Sequence, residues 1–129
     1  MATVVNRRVR GGEAIVRALE AHGVDVVFGI PGVHTLDIYD VLHGEGRMRN
    51  ILARHEQGAG FMADGYARAT GKPGVAIIVT GPGVTNVATA VGEAFADSSP
   101  VFVIATNLER KYIDQLEGNL HEITDQMSV

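Results

Sequence analysis

The 129-residue chain is 46% apolar and 20% charged, which suits one globular domain with its own core and is small for an enzyme that must hold both a cofactor and a substrate. A formal net charge of −4 gives no electrostatic case for nucleic acid or an anionic membrane surface, and the absence of cysteine excludes disulfides and thiolate chemistry. No signal peptide is recognisable and no apolar run approaches the roughly 18 residues that span a bilayer, so the chain reads as a soluble cytoplasmic protein.

Residues 1–11 carry Arg7, Arg8 and Arg10 without apolar periodicity and read as a flexible, solvated leader. Residues 12–22 place Ile15, Ala18, Leu19 and His22 on one helical stripe that stops at Gly23, a residue suited to the left-handed position after a helix. Residues 24–30 are almost wholly apolar and end in Gly29-Ile30-Pro31-Gly32, as expected of a parallel strand covered on both faces. Residues 35–42 form a helix with Leu36, Tyr39 and Leu42 inward and Asp37 and Asp40 outward, closing at Gly44, and residues 45–50 read as a charged loop.

A short buried strand then starts at Ile51, ends in charged residues and turns directly into a helix. Its apolar positions 59, 62, 63, 66, 67 and 70 recur at helical spacing, and Thr70-Gly71-Lys72-Pro73 caps and stops it. Glu56 thus falls at the carboxyl end of a strand and the first turn of a helix. Residues 75–79 give the clearest strand signal, five apolar residues rich in β-branching. Thr80-Gly81-Pro82-Gly83 leads into a helix marked by Val84, Val87, Ala88, Val91 and Phe95, and Pro100 precedes a fourth strand over 101–105. From Asn107 onward the chain is polar.

Four alternations of helix and strand imply βαβ crossovers, hence an α/β fold with a doubly wound, mostly parallel sheet and helices on both faces. Such a fold does not usually stop after its fourth strand, so residues 12–129 read as a domain incomplete at its carboxyl terminus.

Phosphate signatures fail in detail. Residues 65–72 hold five residues between the glycines where a P-loop has four, and Pro73 stands where a hydroxyl should bind magnesium. Gly58-Ala59-Gly60-Phe61-Met62-Ala63 has a dinucleotide-like spacing, but no acid follows at the distance that would hold a ribose. The turn Thr80-Gly81-Pro82-Gly83-Val84-Thr85-Asn86 is either a polar surface for close ligand approach or a plain strand-to-helix turn, and spacing alone favours the second. Glu56 taken alone is most often just an acid favoured by the helix dipole. His22, His34, His43, His55 and His121 lack metal-ligand spacing, and no serine sits in a nucleophile elbow.

Taken together, Phe28-Gly29-Ile30-Pro31-Gly32, Arg54-His55-Glu56-Gln57-Gly58-Ala59, Ala63-Asp64-Gly65-Tyr66-Ala67-Arg68 and Gly81-Pro82-Gly83-Val84-Thr85-Asn86 closely resemble thiamine-diphosphate-dependent enzymes of the acetolactate synthase and 2-oxo acid decarboxylase type. The likeness is to their amino-terminal pyrimidine-binding domain, over about residues 12–126. It implies that Glu56 is catalytic, sharing a proton with N1′ of the cofactor's aminopyrimidine so that the ring can activate the thiazolium carbon. The enzyme would decarboxylate a 2-oxo acid, or ligate the resulting enamine to a second carbonyl.

The same resemblance places Pro31, Thr80 and Asn86 with Glu56 around the cofactor, and Gly32, Val33, His34 and His121 in the substrate pocket. His121 stands where acetolactate synthases usually have glutamine, and the run His121-Glu122-Ile123-Thr124-Asp125-Gln126 looks more like some 2-oxo acid decarboxylases. Thiamine diphosphate and Mg2+ would be held jointly with a diphosphate-binding domain of another subunit in a homodimer or homotetramer, with no metal ligand from this chain. These residues alone are then inactive. The alternatives are a natural small subunit of a split decarboxylase, or a non-catalytic oligomerisation or regulatory module of the same fold.

Overall fold

The computed structural model describes residues 8–45, 47–113 and 115–129, so most of the expected leader, Arg7 included, lies outside the described residues. In chain order the elements are α1 (Gly11–Ala21), β1 (Val26–Gly29), α2 (Leu36–Glu45), β2 (Arg49–Leu52), α3 (Glu56–Thr70), β3 (Gly74–Ile78), α4 (Pro82–Ala96) and β4 (Val101–Ala105). Short 3₁₀ turns cover Val33–Thr35 and Gln126–Ser128. The four strands form one sheet in the order β2-β1-β3-β4, every pair parallel.

Strand alternation divides the core into two layers. Val27, Val75 and Ile77 point to one face, where they meet Val16 and Leu19 of α1 and Ile38, Tyr39, Val41 and Leu42 of α2. Val26, Phe28 and Ala76 point to the other, onto Ala59 and Ala63 of α3. With helices on both faces, β1 and β3 have no solvent side, which is why they read as continuous apolar runs. The sheet is doubly wound, as the alternation of elements implies.

Small residues let α3 approach closely. Ala59, Ala63 and Ala67 are buried, and a side chain added at Gly60 would place its Cβ 2.5 Å from the Ala90 Cβ of α4. At the far end Arg68 donates to Asp64 at 2.8 Å and to Asp97 at 2.7 Å, tying α3 to the exit of α4. The two helices therefore travel as a pair, which matters because each carries one member of the candidate site. Two of the three expected glycine stops are in place, Gly23 at φ +76 and Gly71 at φ +71.

Several expectations are corrected. β2 begins at Arg49, two residues inside the predicted loop, because an edge strand pairs through its backbone and needs no apolar side chains. Arg49, Asn50 and Leu52 are exposed, so this strand is not buried. On α1 Leu19 and the partly buried Ile15 pack inward as expected and Val16 joins them, while Ala18 and His22 are exposed. Leu36 is exposed on α2, where Ile38 and Val41 join Tyr39 and Leu42 instead, and the helix runs through Gly44 to Glu45. On α4 the buried residues are Gly83, Val87, Ala90 and Ala94; Val91 and Phe95 are exposed beside the edge strand β4.

Tyr39 gives the fold a pH signature. Its hydroxyl is buried and donates to the Ile77 carbonyl at 3.3 Å, and burial pushes its pKa from 10 up to about 12. The folded state thus holds the phenol proton more tightly than the unfolded state does. This contribution is complete below pH about 10 and is lost as pH rises towards about 12, by up to roughly 3 kcal/mol. Urea midpoints at pH about 9 and about 11 should fall more in the wild type than in Tyr39→Phe; an equal fall in both would dismiss Tyr39 as the cause.

Candidate functional site at the carboxyl edge of the sheet

β1 leads to β2 on one side, and β3 lies on its other side, so the topology reverses between β1 and β3. Loops leaving the carboxyl ends at such a point diverge and leave a crevice, the usual ligand position in open α/β sheets. Three segments border it: residues 30–32 after β1, 53–56 after β2 and 79–81 after β3.

Glu56 is the first residue of α3 and is half-buried. The helix start is fixed by His55, extended at φ −158, whose Nδ1 accepts from the Gln57 N–H at 3.2 Å. Asn86, in the second turn of α4, donates its Nδ2 to Glu56 Oε2 at 2.9 Å. Among the described residues, Glu56 Oε1 has no hydrogen-bond partner. Two predicted residues 30 positions apart are thus brought together by the α3–α4 pairing.

Thr80 is 1% exposed, and its hydroxyl donates to Gln126 Oε1. Gly32 packs its backbone against Val79, where an added Cβ would collide, and exchanges hydrogen bonds of 3.0 Å with the Thr35 hydroxyl. Pro31 stands apart from this group, lining a separate cleft with Tyr39, Met48 and Asn50. Val33 is exposed, and His34 lies against His121 with ring centroids 5.9 Å apart. The Nδ1 atoms of both histidines are buried without a partner. Burial, and then the nearby His121, hold the His34 pKa below its ordinary 6.5. Val33 and His34 open onto a cleft that also contains Asp37, Glu109, Tyr112 and Leu120.

Sequence reasoning gave no role to Gln126 or Glu122. Glu122 accepts the N–H groups of Leu116, Gly118 and Asn119 at 3.0, 2.9 and 2.9 Å, folding the segment that carries His121 and keeping its own pKa low. The signal was a run of acids and amides with one glycine, the composition of a loop that hydrogen-bonds to itself. Among the described residues no group of three or more metal-ligating side chains occurs, and no helix is long and apolar enough to cross a membrane.

A carboxylate anchored at one oxygen and open at the other, at a switch-point crevice, fits a heteroaromatic ring nitrogen that must exchange a proton. The class follows: the chain belongs to the family described as thiamine pyrophosphate enzyme, N-terminal TPP binding domain, whose model matches residues 9–129.

Individual relatives sharpen this. The chain is 56% identical over 123 residues to the probable 2-ketoarginine decarboxylase AruI of Pseudomonas aeruginosa, covering 95% of this chain and 22% of that protein. It is 47% identical over 106 residues to the acetolactate synthase of Mycobacterium avium, covering 82% and 17%. It is 48% identical over 93 residues to the mitochondrial acetolactate synthase catalytic subunit of Saccharomyces cerevisiae, covering 72% and 14%. The chain therefore spans between 14% and 22% of the length of these relatives.

Proposed function

We propose that this chain is the pyrimidine-binding part, residues 12–129, of a cytoplasmic thiamine-diphosphate-dependent enzyme that decarboxylates a 2-oxo acid. The observation that carries the reading is the Glu56 carboxylate, held at Oε2 by Asn86 and open at Oε1. When bound, the cofactor supplies the nucleophilic carbon and the electron sink that a 2-oxo acid needs to lose carbon dioxide.

The chain's own part is proton handling and shape. Glu56 would share a proton with the ring nitrogen of the bound cofactor, a task that suits a carboxyl group because it can hold or release that proton. Asn86 restrains the carboxylate, so its orientation need not be found anew in each turnover. Gly32 contributes the cofactor-facing backbone, with Pro31 ahead of it setting the course of the loop from the neighbouring cleft, and Thr80 shapes the turn beneath it, its hydroxyl being committed to Gln126. Val33, His34 and His121 form the substrate-facing wall.

In this reading the diphosphate and Mg2+ are held by the diphosphate-binding domain of another subunit, in a homodimer or homotetramer. His121, in place of the usual glutamine, and the 56%-identical relative described as a 2-ketoarginine decarboxylase favour decarboxylation over acetolactate synthesis. The test is cofactor binding by calorimetry and carbon dioxide release from a panel of 2-oxo acids, 2-ketoarginine and pyruvate included. Both are expected only when a diphosphate-binding domain is supplied, and the 129 residues alone should show neither. An assembled enzyme that binds the cofactor and turns over no 2-oxo acid would sink the proposal.

A further inference from the structure

After β4 the chain passes through residues 106–125 and returns to the carboxyl edge, where Gln126 inserts its carboxamide between the ends of β3 and β4. Oε1 accepts from the Thr80 hydroxyl and, at 2.8 Å, from the Gly81 N–H; Nε2 donates to the Thr106 carbonyl at 2.8 Å. The last backbone rung between the two strands is Thr106 N–H to the Ile78 carbonyl at 3.2 Å. Beyond it β3 swings away through Gly81, at φ +64, and the backbones no longer reach each other. A carboxamide carries the same donor and acceptor as a peptide group, so Gln126 supplies the rung that the backbones cannot.

This bridge has a consequence for His121. The His121 carbonyl lies against Gly81, where any Cβ would collide with it, and the His121 ring faces His34. His121 and Asp125 both sit at left-handed φ, +62 and +48, without being glycine. Such conformations persist only where surrounding contacts impose them. The charged groups nearby are Asp37 on α2, Glu109, which pairs with Lys111, and Glu122, which is occupied by backbone N–H groups.

We propose that Gln126 is a positioning residue: its three hydrogen bonds to Thr80, Gly81 and Thr106 hold the carboxyl-terminal segment on the sheet edge and so keep His121 opposite His34. The proposal rests on the reading of both histidines as the substrate-facing wall, but its first test does not.

That test is an NMR titration of the histidine ring signals in the isotopically labelled, fully assembled protein without cofactor. In the wild type, burial and the neighbouring His121 hold the His34 pKa below its ordinary value. Its midpoint should rise in Gln126→Met, which keeps the volume and loses the bonds, and should rise by a similar amount in His121→Asn, with no further rise in the double variant. Thr80→Val, which removes one of the three bonds, should give a smaller rise. An unchanged His34 midpoint in folded Gln126→Met overturns the proposal. Should that variant not fold, an unchanged midpoint in Thr80→Val does the same. In the assembled enzyme Gln126→Met should raise KM for the 2-oxo acid several-fold and leave kcat nearly intact. A shifted titration with unchanged KM upholds the bridge and removes the two histidines from the substrate wall.

Discussion

Glu56→Gln in the assembled enzyme should lower kcat for decarboxylation by about 10²–10⁴-fold while the fold stays intact. The substitution is nearly isosteric at a half-buried position, and the glutamine carbonyl can still accept from Asn86. What disappears is the capacity to hold or release a proton. The stability cost is confined to one negative charge in the first turn of α3, about 0.3–1 kcal/mol. Steady-state turnover measured beside a urea melt separates the two effects. Activity within tenfold of wild type would remove Glu56 from the proton path. Asn86→Ala, which frees the carboxylate without removing it, should cost less than Glu56→Gln.

The meeting of Glu56 and Asn86 depends on features that look unrelated to chemistry. Each stands near the start of a different helix, so their separation is set by how closely α3 and α4 pack. Gly60 against Ala90 sets that approach at the near end, and Arg68 between Asp64 and Asp97 secures it at the far end. Small residues in the middle of α3 are thus part of the site although none faces the crevice.

The elements legible in the sequence are those whose signal is local. β4 has the predicted limits, 101–105, because Pro100 and a run of five apolar residues define it. The end of α3 is right because Gly71 takes the left-handed position and Pro73 forbids continuation. β2 was read short because an edge strand is selected by backbone pairing, and Arg49 and Asn50 carry no apolar pattern. Phe95 belongs to the stripe that marks α4 in the sequence and yet lies outward, because helical periodicity shows that a stripe exists without showing what lies over it. In the site, Glu56 and Asn86 were legible through their motifs. Gln126 was not, since its partners are a hydroxyl, an N–H and a carbonyl from distant parts of the chain, and only the folded sheet edge brings them within reach.

Gly81→Ala should be the most damaging single change at the site that leaves every functional group in place. At φ +64 and ψ −115 the backbone is in a region that side chains rarely occupy, which alone costs of order 1–3 kcal/mol. The added Cβ would also meet the His121 carbonyl, its carbon 2.9 Å away, and a carbonyl cannot yield as a flexible side chain can. Relief requires the carboxyl-terminal segment to lift, and that lift stretches the Gln126 bridge anchored on the Gly81 N–H. Gly23→Ala is the control, because Gly23 at φ +76 has open space around it and its replacement imposes backbone strain alone. The urea midpoint should therefore fall further for Gly81→Ala than for Gly23→Ala, and the His34 titration should shift in the first and not in the second. Equal midpoints with an unmoved His34 would mean that the segment bearing His121 does not rest on this turn.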